Sequence, residues 1–279
     1  MRISLNEVKT ICSKNRFFAY SGFHDRLFVP ISIYFIWLSL RLGLSGNTVS
    51  WVSGFVAAIG GVMLAANDPL IILIGSFGYI IWYLLDYVDG GVARIEGKGG
   101  MSGQYIDWIM HVISHTAIVS GICLGAMHSA GTWLLPFVIM SIIASVLSFG
   151  KFSMGWFAIC MEQQQLISKN AKIMQKDFAV SSSSETKIMF IARKITTLFF
   201  HENYLIFLVP FAALLHFLEL TSSFDLRIAF TIIAATVFLP IQIFDIIKIT
   251  NSGKIEKTYN SLFILRDKPN LPDDHFFGS

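Results

Sequence analysis

Long apolar runs alternate with short polar breaks along this chain, and the runs approach the roughly 20 residues that cross a bilayer as a helix. They fall at 47–66, 69–88, 103–127, 131–155, 203–221 and 226–247. Six membrane-spanning helices are therefore predicted, in an all-α, polytopic membrane fold. Residues 1–28 are polar and mixed, with Lys9, Lys14, Arg16 and Arg26. The following stretch, Pro30–Arg41, is apolar but too short to span. Its leading proline and its aromatics beside a terminal arginine mark an N-terminal amphipathic helix lying in the membrane interface. Leu44-Ser-Gly46-Asn47-Thr then breaks the pattern, and Asn47 is the expected N-cap of the first span.

The chain divides accordingly into a cytoplasmic N-terminal segment with its interfacial helix (1–46), a six-helix domain (47–250) and a polar tail (251–279) with Pro269 and Pro272. The longest polar insertion, 161–201, carries a run of four serines from Ser181 and reads as a loop with an amphipathic helix over Ile188–Phe199. In the first span Ser53, Ala57 and Gly61 recur every fourth residue, as do Gly54 and Ala58. Small residues at that interval let helices approach closely. Packing within one subunit is the expectation, with a homodimer seam as the alternative.

Composition agrees with the pattern. Of 279 residues 54% are hydrophobic, mean hydropathy is +0.63, and only 14% are charged, against roughly 25% in a soluble domain. Cations stay on the cytoplasmic side of membrane proteins. With both termini inside, Arg227 is the one member of the 21 Lys and Arg residues left outside. An integral protein of the cell (cytoplasmic) membrane is expected, with both termini and the site described next facing the cytoplasm. The net charge of +3 reflects this asymmetry and attraction to anionic headgroups. It contains no basic run dense enough for nucleic acid. Cys12, Cys123 and Cys160 are scattered, which predicts free thiols. No cleavable signal peptide is expected.

Chemistry concentrates where the second and third runs meet. Asp86-Tyr-Val-Asp89-Gly90-Gly-Val-Ala93-Arg94 is followed by Gly103, Asp107 and His111. On a helix Asp86 and Asp89 lie about 60° apart, and Gly90 and Ala93 fall within about 40° of Asp86. Two carboxylates thus share a face with two residues nearly devoid of side chain, where a planar ring can approach the backbone. Gly103, Asp107 and His111 repeat every fourth residue and form one stripe. Buried carboxylates cost several kcal/mol each unless paired, and the nearby basic residues are Arg94 and Lys98. A divalent cation, Mg²⁺ or Mn²⁺, resolves the repulsion, and hard cations of this kind favour carboxylates together with substrate phosphates.

The order Asp-x-x-Asp-Gly-x-x-Ala-Arg, eight residues, Gly, three residues, Asp, three residues and a fourth site resembles the signature of the CDP-alcohol phosphotransferases, also called CDP-alcohol phosphatidyltransferases. Weaker likeness extends to Pro30–Arg41, to the opening of the first span and to the six-helix plan. Most members carry Pro-Asn and Thr where this chain has Gly46-Asn47 and Ser50. The resemblance implies that Asp86, Asp89 and Asp107 hold divalent metal and that Gly90 and Ala93 line the nucleotide pocket, joined by Asn47, Asp86, Arg94 and Gly103. The family's fourth aspartate, a metal ligand and the proposed general base, is replaced here by His111. Imidazole titrates near neutrality and accepts a hydroxyl proton, but binds Mg²⁺ less well than carboxylate and softer metals better.

The implied reaction moves a substituted phosphate from a CDP-linked donor, in one arrangement CDP-diacylglycerol, to an acceptor hydroxyl. It releases CMP and leaves a phosphodiester, as in phospholipid biosynthesis, with at least one substrate a lipid. Lys151 is a candidate for holding an acceptor phosphate, against its reading as a membrane anchor. Two other classes remain open from the residues alone: an ion or proton transporter, which needs ionisable groups spread towards the midplane, and a non-catalytic nucleotide- or lipid-binding membrane protein.

Overall fold

The computed structural model describes residues 3–14, 23–98, 101–148, 173–174, 202–220, 224–251 and 264–265. Helices α1 (Leu5–Lys14), α2 (Phe23–Arg41), α3 (Gly46–Leu64), α4 (Pro69–Ile95) and α5 (Met101–Ala130) are followed by α6 (Thr132–Ser148), α7 (Glu202–Phe217) and α8 (Leu226–Lys248). Besides helices and turns, the described residues hold a two-residue antiparallel pairing, Ile173–Met174 with Ile264–Leu265. The fold is all-α. Lys151, the expected helix over 188–199 and the tail beyond Asn251, apart from that pairing, lie outside the described residues.

Four helices are long and apolar enough to cross a membrane: α3, α4, α5 over Tyr105–Ala130, and α8. They make the chain an integral membrane protein. The expected spans at 131–155 and 203–221 fall on the shorter apolar helices α6 and α7, so the described residues hold four candidate spans rather than six. Helix α7 stops at Phe217 because the chain turns at once, with Glu219 at φ 59.

Helix α3 is the centre of the bundle, with α4 on one side and α5 on the other. Small residues make this possible. A Cβ on Gly60 would stand 2.8 Å from the Gly75 carbonyl, and one on Gly61 would collide with Ala117. Backbones therefore touch, as small-residue spacing allows. Within the described structure the small-residue stripe packs inside one subunit.

Two local expectations change at the start of this bundle. The N-cap of α3 is Ser45, not Asn47: Ser45 is extended (φ −81, ψ 158) and its Oγ accepts the Thr48 N–H at 3.2 Å. Both residue types cap well, but Asn47 is already inside the first turn. Helix α2 begins at Phe23, so Pro30 lies in its interior, where it denies the Arg26 carbonyl its usual donor. Apolar side chains occupy both sides of α2. Phe28, Val29, Ile36 and Leu40 are buried, while Leu27, Ile31, Phe35 and Leu38 are exposed. The helix is thus longer than expected, and its two sides do not divide into apolar and polar. Gly43, at φ +72, ends it with the Leu44 N–H bonded to the Ser39 carbonyl.

Helix α8 contains a π-helical turn at Ala234–Phe238. Pro240 follows two residues later, and its missing N–H and bulky ring are the kind of defect such a turn absorbs. At the start of α8, Arg227 donates from Nη1 to the carbonyls of Leu64 (2.9 Å) and Ala66 (2.8 Å), and from Nη2 to Asp225 (2.8 Å). Ser129 Oγ bonds Asp225 at 2.7 Å. Gly125 leaves the space the guanidinium fills, since a Cβ there would collide with it. The carbonyls left open at the end of α3 are thereby satisfied from a helix more than a hundred residues away in sequence. Burial pushes the Asp225 carboxyl up, but the bonds and charge of Arg227 and the Ser129 hydroxyl outweigh it and hold it below the usual carboxylate range.

Candidate metal centre

The end of α4 and the beginning of α5 meet at one end of the bundle because Gly97, at φ +64, turns the chain after α4. The Lys98 N–H closes on the Ala93 carbonyl at 3.0 Å. This brings Asp86 of α4 to Asp107 and His111 of α5. His111 Nε2 lies 2.7 Å from Asp86 Oδ1 and 3.6 Å from Asp107 Oδ1. One ligand atom from each of the three residues lies within 4.8 Å of the others.

Adjacent ligands of an octahedral cation bound at 2.0–2.1 Å stand about 3 Å apart. The three donors are close enough together to share one divalent ion once their side chains adjust. Two carboxylate oxygens suit Mg²⁺, and the imidazole nitrogen moves the preference towards Mn²⁺ and softer metals.

Asp89 contributes none of the three ligand atoms that converge within 4.8 Å. Three residues along α4 from Asp86 it has rotated towards α3, where it is buried and accepts Ser50 Oγ at 2.5 Å. Gly46 permits the approach. A Cβ on it would stand 2.9 Å from the Asp89 carbonyl and 3.0 Å from Ala93 Cβ. The structure thus brings together three of the four expected ligands and gives the fourth a hydroxyl partner.

The expected nucleotide residues surround the same end. Asn47 Oδ1 lies 3.3 Å from where a Gly103 Cβ would be, so the first turns of α3 and α5 adjoin there. Gly90 is covered by the Arg94 guanidinium, whose Nη1 would be 3.4 Å from a Cβ at that position. The near-bare face expected around Gly90 is therefore occupied by a cationic, planar side chain. Ala93 packs against Gly46.

Two residues of the site escaped the sequence. Trp82, 1% exposed, meets the His111 ring edge to face at 5.3 Å and stacks on Tyr79 at 5.1 Å. It precedes Asp86 by one turn, and that spacing was the available signal. Ser50 gave none, because its partner lies on another helix. Neither a family model nor a curated protein sequence matches this chain.

Proposed function

We propose that the protein transfers a substituted phosphate group from a CDP-linked alcohol to an acceptor hydroxyl, with a divalent metal at Asp86, Asp107 and His111. The observation that carries this reading is the convergence of those three residues, at the spacing of the CDP-alcohol phosphotransferase signature, into one potential ligand set. The acceptor oxygen attacks the phosphorus distal to cytidine, the bond from that phosphorus to the CMP oxygen breaks, and CMP leaves. A divalent ion, when bound, would neutralise charge on the diphosphate and hold it for in-line displacement.

His111 takes the acceptor proton through Nε2 in the state in which that nitrogen carries no proton and is not donating to Asp86. Asp86, at 2.7 Å, then accepts the N–H of the imidazolium and stabilises it. The same nitrogen cannot hold a metal while it takes a proton, so ligand and base are successive or exclusive roles. Arg94 contacts phosphate as the nucleotide displaces it from Gly90. Facing the cytoplasm, the site receives a soluble nucleotide portion from water and a lipid partner from the bilayer.

Purified protein incubated with Mg²⁺ or Mn²⁺ and a panel of CDP-alcohols and acceptor alcohols tests the reading. Metal-dependent CMP release is expected, and Asp107→Asn should abolish it. Undiminished release from Asp107→Asn would exclude the metal assignment, and absence of release across the panel would exclude the reaction.

A further inference from the structure

Helices α1 and α2 pack at the end of the bundle where α3 begins and α4 finishes. Val8 and Cys12 of α1 are buried with Ile36 and Leu40 of α2, with Val49 in the first turn of α3, and with Val88 and Val92 of α4. The Trp37 indole N–H donates to the Ile3 carbonyl at 3.2 Å and ties the start of α1 to α2. Because α3 is a candidate span that starts at Gly46, this end of the bundle lies at a membrane surface.

Two cations at that surface are seated on aromatic rings of α2. The Lys9 ammonium lies 4.9 Å over the Tyr34 ring and 3.3 Å from its hydroxyl oxygen, and the Arg41 guanidinium lies 4.9 Å over the Trp37 ring. Tyr34 and Trp37 are three residues apart, neighbours on a helix surface at about 5–6 Å between Cβ atoms. Both cations are exposed. A ring face attracts a cation without neutralising it, and a side chain already settled on a ring has less freedom to lose when it binds. The acids of the two helices are engaged elsewhere. Glu7 accepts the N–H and the hydroxyl of Ser4 at the start of α1, at 2.6 and 2.8 Å, and Asp25 is buried, with the Tyr87 hydroxyl donating to it at 2.6 Å.

Hydrocarbon-facing side chains adjoin the two cations. Ile31, Phe35, Leu38 and Leu42 are 42%, 40%, 44% and 65% exposed, and their spacing puts them on one side of α2. Tyr34, 50% exposed, belongs to the same side. Positive charge beside exposed apolar side chains, at the level of a membrane surface, complements a molecule with an anionic head and hydrocarbon tails.

We propose that Lys9 and Arg41, on their rings Tyr34 and Trp37, form a binding site for an anionic phospholipid of the surrounding bilayer. The phosphate sits against the ammonium and guanidinium, and the acyl chains lie along Ile31, Phe35, Leu38 and Leu42. None of these residues belongs to the metal centre, so this lipid is neither donor nor acceptor in the reaction proposed above.

Native mass spectrometry of the full chain in neutral detergent tests the site, with phosphatidylglycerol and phosphatidylcholine of identical chains as probes. One basic residue near an anionic surface strengthens attraction about fivefold, so two should favour phosphatidylglycerol by about twenty- to thirtyfold. Lys9→Gln with Arg41→Gln should bring the two lipids to nearly equal retention, while the lipid-free melting temperature stays that of the parent because both side chains are exposed. The exchange Lys9→Arg with Arg41→Lys keeps both charges and should keep most of the preference. Arg26→Gln, which removes another exposed cation of α2, should leave it intact. Equal retention of the two lipids by the parent would overturn the site, as would a loss in Arg26→Gln as large as in the double variant, which would mean diffuse attraction. Release of phosphatidylglycerol by excess inorganic phosphate would reassign the cations to a free anion. A preference that survives the double variant and vanishes in Asp107→Asn would move the lipid to the metal centre and equally discard the site.

Discussion

Trp82 and His111 meet edge to face, their ring centroids 5.3 Å apart and their planes at 83°. The indole sits one turn before Asp86 on the same helix, so a single face of α4 touches the imidazole twice, once through carbon and once through a carboxylate oxygen 2.7 Å from Nε2. Tyr79 backs the indole at 5.1 Å. The ring of His111 is held from the side that faces the bundle interior.

Trp82→Phe should keep the fold but loosen the imidazole. Small misplacements of a reacting group cost up to about 10²-fold, and a fall in kcat for CMP release of about tenfold to that limit, with KM little changed, is expected. Trp82→Ala should lower stability by about 3–5 kcal/mol, read as a lower melting temperature in detergent. Equal kcat in Trp82→Phe and the parent would show that the contact only fills space.

His111→Asn should reduce turnover by about 10²–10⁴-fold, the usual contribution of a positioned base. Donor affinity, measured by calorimetry with a CDP-alcohol, should stay near that of the parent. His111→Asp restores a carboxylate where the resembled signature has one and should recover part of the activity. Loss of donor affinity in His111→Asn would give the imidazole to the metal instead.

Ser50→Ala leaves the buried Asp89 carboxylate without its hydroxyl donor. A cost of about 1–3 kcal/mol is expected, together with a changed apparent affinity for metal as the Asp89 carboxylate beside Asp86 and Asp107 loses its fixed orientation. Gly46→Ala drives a methyl group into the Asp89 carbonyl and Ala93, separates the first turn of α3 from α4 and should reproduce both effects. Ser50→Thr keeps the hydroxyl and should rescue. A metal titration monitored by Mn²⁺ paramagnetic resonance separates these outcomes from simple unfolding.

The Asp225 carboxyl, held below the usual range chiefly by Arg227 against the opposing effect of burial, stabilises the fold while it is ionised. That contribution is complete above the carboxyl's ordinary value near 3.9 and disappears as pH falls through the lowered folded value. Melting temperature should therefore drop on moving from about pH 4 towards about pH 2, and the part due to this group should be missing in Asp225→Asn. An identical acid profile in the variant would remove the ion pair from the account.

Much of this was legible in the sequence. The faces that Asp86, Asp107 and His111 occupy follow from helix periodicity once both segments are read as helices, and their meeting at one end of the bundle comes from the turn at Gly97. Contacts between elements were not legible. Nothing local tells that the Ser50 hydroxyl bonds Asp89, or that Arg94 lies over Gly90, because both depend on how the helices pack. Ser45 and Asn47 are equally good caps on chemical grounds, and the helix start chooses between them. Pro30 looked like a beginning because proline favours first turns. It lies exposed inside α2 instead, while Phe28, Val29 and Ile36 of the same helix are buried. Arg227 read as a lone cation on the far side, and its partners are main-chain oxygens that carry no sequence signal.

Arg227 also imposes an order of assembly. A nascent chain that has delivered α3, α4 and α5 to the bilayer still carries the Leu64 and Ala66 oxygens without their eventual donor, and the niche over Gly125 stands vacant. Only when α8 is threaded does the guanidinium arrive to fasten the first of the candidate spans among the described residues to the last. Polypeptides cut short before that moment keep the acidic cluster but not the clasp, and such fragments are what a quality-control protease would meet as frayed.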